Sequence, residues 1–143
     1  LVLQFSINYF SLIFAREMLF DEEFMTHAKA QVVDIKKRRD AAFEYICCQY
    51  DPQLIKAYRS EGNFLLLRFT DDEVFEKLMN CFETKGIKVL NCTNFPLLKN
   101  SFRVSIGSPT ETRAFMDCLN RILPPKNRSR EEQIIHSEEI LAY

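Results

Sequence analysis

The stretch NFLLLRF at 63–69 limits the possible folds of this chain more than any other. Its length suits a strand rather than a helix, and apolar residues that follow one another without alternation read as a strand buried on both faces. A strand of that kind needs covering elements. Thr70-Asp71-Asp72-Glu73 follows at once as a capping box, ahead of Val74, Phe75, Leu78, Met79 and Phe82 at three- and four-residue steps, and predicts a helix ending before Gly86.

The same strand-then-helix grammar recurs downstream. SFRVSIG at 101–107 reads as a strand, and Ser108-Pro109-Thr110-Glu111 combines an N-cap serine, proline at the first helical position and glutamate at the third. Ala114, Phe115, Cys118, Leu119 and Ile122 carry that helix to its stop at Pro124-Pro125. GIKVLN at 86–91 is a further strand, and a loop containing Phe95-Pro96 leads on to Lys99. Upstream, SLIFAREMLF at 11–20 is helical. Asp21-Glu22-Glu23 restarts a helix with acids in its first turn, and Ala28, Val32, Ile35, Ala42 and Ile46 make it a long amphipathic helix to about residue 48. Residues 48–62, with Pro52 and Gly62, read as a connection with a short turn of helix. The expectation is an α+β layer fold: a small sheet of about three strands covered by helices and preceded by a long amphipathic helix.

At 143 residues, 47% of them apolar and with a net charge of −1, the chain is large enough for one cored domain or a piece of a larger protein. Neither disorder nor broad attraction to nucleic acid or a membrane surface is indicated. The apolar opening LVLQFSINYFSLIFA lacks the basic start of a signal peptide. As a membrane span it is too short and is interrupted by Gln4, Ser6 and Asn8. We read it as the interior of a longer chain. The five cysteines, at 47, 48, 81, 92 and 118, form no CxxC pair, and His27 and His136 have no metal-site spacing, so no metal is expected. Reduced thiols in a cytoplasmic setting follow.

Arg103 stands out among the polar residues. On a strand it shares a face with Ser105, opposite Phe102, Val104 and Ile106. Two readings remain open: an arginine on the solvent face of an edge strand, or a planar guanidinium offered to a carboxylate, whose two oxygens it can bond together. The basic run Lys36-Lys37-Arg38-Arg39 has acids beside it at Asp34, Asp40 and Glu44 and reads as a solvated helix face. EGNFLLLRF has leucines where an RNA-binding strand needs stacking aromatics. Cys47-Cys48 reads as a small apolar pair, Lys85 as a helix-end cation and Asn63 as turn chemistry. No nucleophile, base and metal assemble into a complete active site.

Taken together, SEGNFLLLRF and GIKVLNCTNFPLLKNSFRVSIGSPTETRAFMDCLNRIL resemble the C-terminal small domain of the class I/II (fold type I) pyridoxal-phosphate aminotransferases, in particular the histidinol-phosphate aminotransferase branch. QFSIN at 4–8 and FDEEFMTHAKAQVVDIKKRRDAAFEYI are similar to the segments that precede that domain, so the resemblance spans about residues 4–123. It implies that residues 1–20 end a large-domain or interdomain segment, 21–123 form the small domain and 124–143 are a charged tail. It implies that Arg103 binds the substrate α-carboxylate, with Asn63 and Lys88 as weaker substrate contacts. It further implies pyridoxal 5'-phosphate held by a domain upstream, amino-group transfer between an amino acid or amino-phosphate and a 2-oxo acid, and a homodimeric full-length enzyme. The Schiff-base lysine would lie upstream too, leaving this chain inactive alone. Leu90 and Cys92 stand where histidinol-phosphate enzymes carry arginine, so the substrate stays open. CTNFPLL is similar to the matching loop of threonine-phosphate decarboxylases. The alternative is a non-catalytic α+β small-molecule-binding or interaction domain.

Overall fold

The computed structural model describes residues 7–126. Two compact units meet inside one helix, between Asp34 and Ile35. The first contains helix α1 (Tyr9–Phe20), N-capped by the Asn8 side chain, which accepts from the Ser11 amide. Asp21 is the junction: it closes α1, and its carboxylate accepts from the Phe24 amide to begin helix α2 (Glu22–Gln49). No residue of α1 is buried. Phe10, Phe14, Leu19 and Phe20 are all exposed.

The second unit holds the core. A four-stranded, fully antiparallel sheet runs in the order β1 (Ile55–Tyr58), β2 (Phe64–Phe69), β4 (Ser101–Ser105), β3 (Leu90–Asn91). Helices α3 (Asp72–Thr84) and α4 (Pro109–Ile122) cover one face of it. Leu65, Leu67, Phe69, Phe102 and Val104 meet Phe75, Leu78, Phe82, Phe115 and Leu119 there, with Ala42, Ile46 and Tyr50 joining the same core. Phe102 is its hub, packed against Phe69 at 5.5 Å, Phe82 at 5.2 Å and Phe115 at 6.3 Å between ring centroids. The edge-to-face approaches at Phe82 and Phe115 suit the ring quadrupoles.

The local signals fix the helix ends, except that the capping box expected over Thr70–Glu73 does not form, because Thr70 Oγ1 donates to the Gln53 carbonyl and Asp71 takes the N-cap position. Asp71 caps α3 by accepting from the amides of Glu73 and Val74. At its other end Gly86 takes φ +68°, the Gly86 amide donates to the Glu83 carbonyl and the Ile87 amide to that of Phe82, a Schellman closure. Ser108 and Glu111 form the reciprocal capping box of α4, with Pro109 at its first turn.

Four further expectations need correction. The connection read over 48–62 contains β1, whose register against β2 places Ile55 and Ala57 on the core face and Lys56 and Tyr58 on the other. The strand expected over 86–91 shrinks to Leu90–Asn91, because the Schellman turn and the residues after it leave the ladder until Leu90. NFLLLRF is buried on one face only. Leu65, Leu67 and Phe69 are buried, whereas Phe64 and Leu66 are half-buried and Arg68 exposed. Finally, Arg39 does not lie on a solvated face. It is 5% exposed, donates to the Gly62 carbonyl at 2.9 Å and pairs with Asp40 at 2.8 Å. Its position falls on the helical stripe of Ile35, Ala42 and Ile46, so its stem packs with the core while its head is hydrogen-bonded. The proposed helix within the charged tail, and His136, lie outside the described residues.

Candidate functional site

The face of the sheet turned away from α3 and α4 carries Arg103. Cross-strand register sets Arg103 opposite Leu66 on one side and Leu90 on the other, with Phe64 opposite Ser105 one step along. Alternation along β4 makes this inevitable: Phe102 and Val104 are committed to the core, so Arg103 and Ser105 must face the other way. The guanidinium carbon of Arg103 lies 4.9 Å from the Phe64 ring centroid. That cation–π contact holds the planar fork against a half-buried ring without consuming its hydrogen-bond donors. Among the described residues no carboxylate pairs with Arg103. An arginine braced by an aromatic ring and flanked by Leu66 and Leu90 has the chemistry to bond a carboxylate or a phosphate through its planar fork.

Lys56 and Arg68 lie on the same face, directly opposite one another in the β1–β2 register. Like charges so placed repel. They line a surface cavity of about 380 Å³ with Tyr58, Thr70, Lys99 and Asn100. Asp72 moderates the charge there: Lys99 pairs with it at 2.9 Å and Asn100 donates to it. The Lys99 hydrogen bond, then that of Asn100, holds the Asp72 carboxyl below its usual range. Asn100 is buried in the left-handed region at φ 52°, a conformation that asparagine tolerates better than most residues.

The other expected contacts fall around this face rather than on it. Asn63 is exposed just before β2, and its carbonyl accepts from the Ile106 amide at 2.7 Å. By strand parity its side chain shares the side of Leu65, opposite to that of Arg103. Lys88 is exposed ahead of the shortened β3. Strand alternation therefore does not place it beside Arg103. Leu90 is 46% exposed and faces Arg103, whereas Cys92 is buried, its thiol donating to the Leu90 carbonyl. Sequence reasoning missed Lys56 because β1 itself was missed, and passed over Arg68 because NFLLLRF read as buried on both faces. The alternation of Ile55 and Ala57 with Lys56 and Tyr58, between Pro52 and Gly62, was the available signal.

Behind the sheet, Tyr45 and Tyr50 both donate to Asn120 Oδ1, at 2.9 and 2.6 Å. Burial pushes both phenols above the ordinary tyrosine range. Among the described residues no group of three or more histidines, cysteines, aspartates or glutamates could hold a metal. No described helix is long and apolar enough to cross a membrane.

This fold, an antiparallel sheet with helices on one face, has a solved counterpart. A decarboxylase from Sulfurospirillum multivorans superimposes on 84% of this chain with a TM-score of 0.60 at 17% sequence identity, using 30% of its own length. The likeness defines an α+β scaffold. In sequence the chain is histidinol-phosphate aminotransferase-like. It is 38% identical over 68 residues to the histidinol-phosphate aminotransferase of Chlorobium phaeovibrioides, which is 47% of this chain and 18% of that protein. It is 25% identical over 118 residues to that of Dehalococcoides mccartyi, which is 82% of this chain and 31% of that protein. The chain thus spans less than a third of the curated relatives it matches. No protein-family model matches it.

Proposed function

We propose that this chain serves as the substrate-carboxylate-binding small domain of a pyridoxal-phosphate-dependent aminotransferase. The observation that carries the reading is Arg103: presented on the sheet face turned away from α3 and α4, braced by Phe64 and without a carboxylate partner among the described residues. Two parallel N–H···O bonds from its fork would orient the substrate by its α-carboxylate. Leu66 and Leu90 beside it would keep water from the pair once the face is covered. Asn63, on the opposite side of the sheet, and Lys88, outside the ladder, make no contact with the carboxylate in this reading.

The described residues do not themselves fit the cofactor. Lys77 and Lys99 are held by Glu73 and Asp72, and every described lysine is exposed, so none is enclosed with a phosphate cradle and an acid for a pyridine nitrogen. No step through it is derived from them. In this reading the cofactor and its lysine belong to a larger domain of the same enzyme, which works as a homodimer in the cytoplasm, and this chain alone does not transaminate. When bound, the cofactor supplies the electron sink for amino-group transfer. The chain's own part is to hold the carboxylate and exclude water. The continuous reading frame upstream of residue 1 tests this. An open frame encoding a cofactor-binding domain with a lysine for the internal aldimine is expected, and a start codon immediately before Leu1 would refute it.

A further inference from the structure

Cys81 and Cys118 lie on the packed helices α3 and α4, and their Sγ atoms are 3.1 Å apart. That is inside the van der Waals contact of two sulfurs and is reached with both helices intact, so the sulfurs need to close by only about 1 Å to reach bonding distance. The two thiols differ in access. Cys118 is 2% exposed, and burial, then the hydrogen bond it shares with Cys81 in its protonated form, pushes its pKa up to about 12. Cys81 is half-buried and opens onto a surface cavity of about 520 Å³ lined also by Lys77, Asn80, Thr84, Lys85 and Arg121. Lys77 is paired with Glu73 across the α3 surface. Lys85 and Arg121 have no carboxylate partner among the described residues.

We propose that Cys81 and Cys118 form a reversible disulfide that joins α3 to α4, driven by anionic low-molecular-weight disulfides that reach Cys81 through this basic cavity. The Cys81 thiolate attacks one sulfur of such a disulfide, forming a mixed disulfide and releasing one thiolate. Cys118 then gives its proton to water and attacks the Cys81 sulfur, expelling the second thiolate, which is protonated. The two protein thiols lose two electrons, and the small disulfide becomes two thiols. Cys118 makes a poor first nucleophile but a well-placed resolving one, since the sulfur it must attack is its nearest neighbour. Lys85 and Arg121 stabilise the negative charge of the incoming reagent.

The test uses the full chain carrying Cys47→Ser and Cys48→Ser, so that the adjacent pair does not contribute. After exposure to oxidised glutathione and alkylation of remaining thiols, peptide mapping is expected to find Cys81 linked to Cys118, with the loss of two hydrogens, reversed by dithiothreitol. Cys118→Ser should halt the reaction at a glutathione adduct on Cys81, and Cys81→Ser should leave Cys118 unmodified. A persistent adduct on Cys81 with Cys118 free in the parent chain, or no reaction at either thiol, would overturn the pairing. The combined Lys85→Ala, Arg121→Ala variant should slow oxidation by glutathione disulfide several-fold while leaving the rate with cationic cystamine unchanged or faster. Equal slowing with both reagents would overturn the assignment of an anionic oxidant.

Discussion

Replacing Asn120 with leucine probes the best-defined polar node behind the sheet. Its Oδ1 accepts from both Tyr45 and Tyr50, and the Tyr50 side chain is almost wholly buried at 1% exposure. Leucine matches the size of asparagine but offers no acceptor. Each lost hydrogen bond is worth about 1 kcal/mol net, and the Tyr50 hydroxyl, shut away from water, adds a desolvation penalty of about 1 kcal/mol or more. Tyr45 is less buried and can turn to solvent, so a total loss of about 2–3 kcal/mol is expected. With urea slopes of about 1–3 kcal/mol per molar for small proteins, the unfolding midpoint should drop by roughly 1 M. Adding Tyr50→Phe should recover about 1 kcal/mol, because the second change removes the stranded hydroxyl. A loss below about 0.5 kcal/mol for Asn120→Leu, the level of an ordinary surface change, would refute the idea that this node holds α4 to the end of α2.

Further outcomes follow from the same packing. Both phenols are raised by burial, so the native state keeps protons that the unfolded chain releases above about pH 10, and stability must fall as pH rises past that value. Denaturant titration across that range should show the fall, and Tyr50→Phe should make it shallower. Arg39→Ala leaves the Gly62 carbonyl without its donor and opens space beside Ala42 and Ile46, costing about 2–3 kcal/mol; Arg39→Met, which keeps the stem, should cost less in the same urea measurement. Ser108→Ala removes the capping box of α4 and about 1 kcal/mol, visible as a fall of roughly 2–5 °C in thermal midpoint.

The parts of the fold legible in the sequence were those written in local chemistry. Asp71, Gly86, Ser108 and Pro109 act within one helical turn, so their meaning survives without knowledge of the rest of the chain. Alternation about Phe102 and Val104 gave the direction of Arg103 for the same reason. What escaped depends on partners distant in sequence. β1 is four residues long and is held by its ladder to β2. Phe64 and Leu66 belong to an apolar run whose second face the described residues leave partly open. Arg39 reads as charge until Gly62, 23 residues on, supplies its acceptor. Cys81 and Cys118 are 37 residues apart, and only the packing of α3 on α4 brings them together.

The proposed role of Arg103 is most directly tested in a protein that joins this segment to the cofactor-binding domain proposed above, through steady-state kinetics of Arg103→Leu with a carboxylate-bearing amino donor. The residue is exposed and makes no core contact, so stability and the cofactor absorbance band should stay as in the parent. The loss of a bidentate charged contact should lower kcat/KM by roughly 100-fold or more, with Arg103→Lys falling between the two. Unchanged kcat/KM in Arg103→Leu at low substrate would contradict the assignment of this sheet face as the carboxylate site.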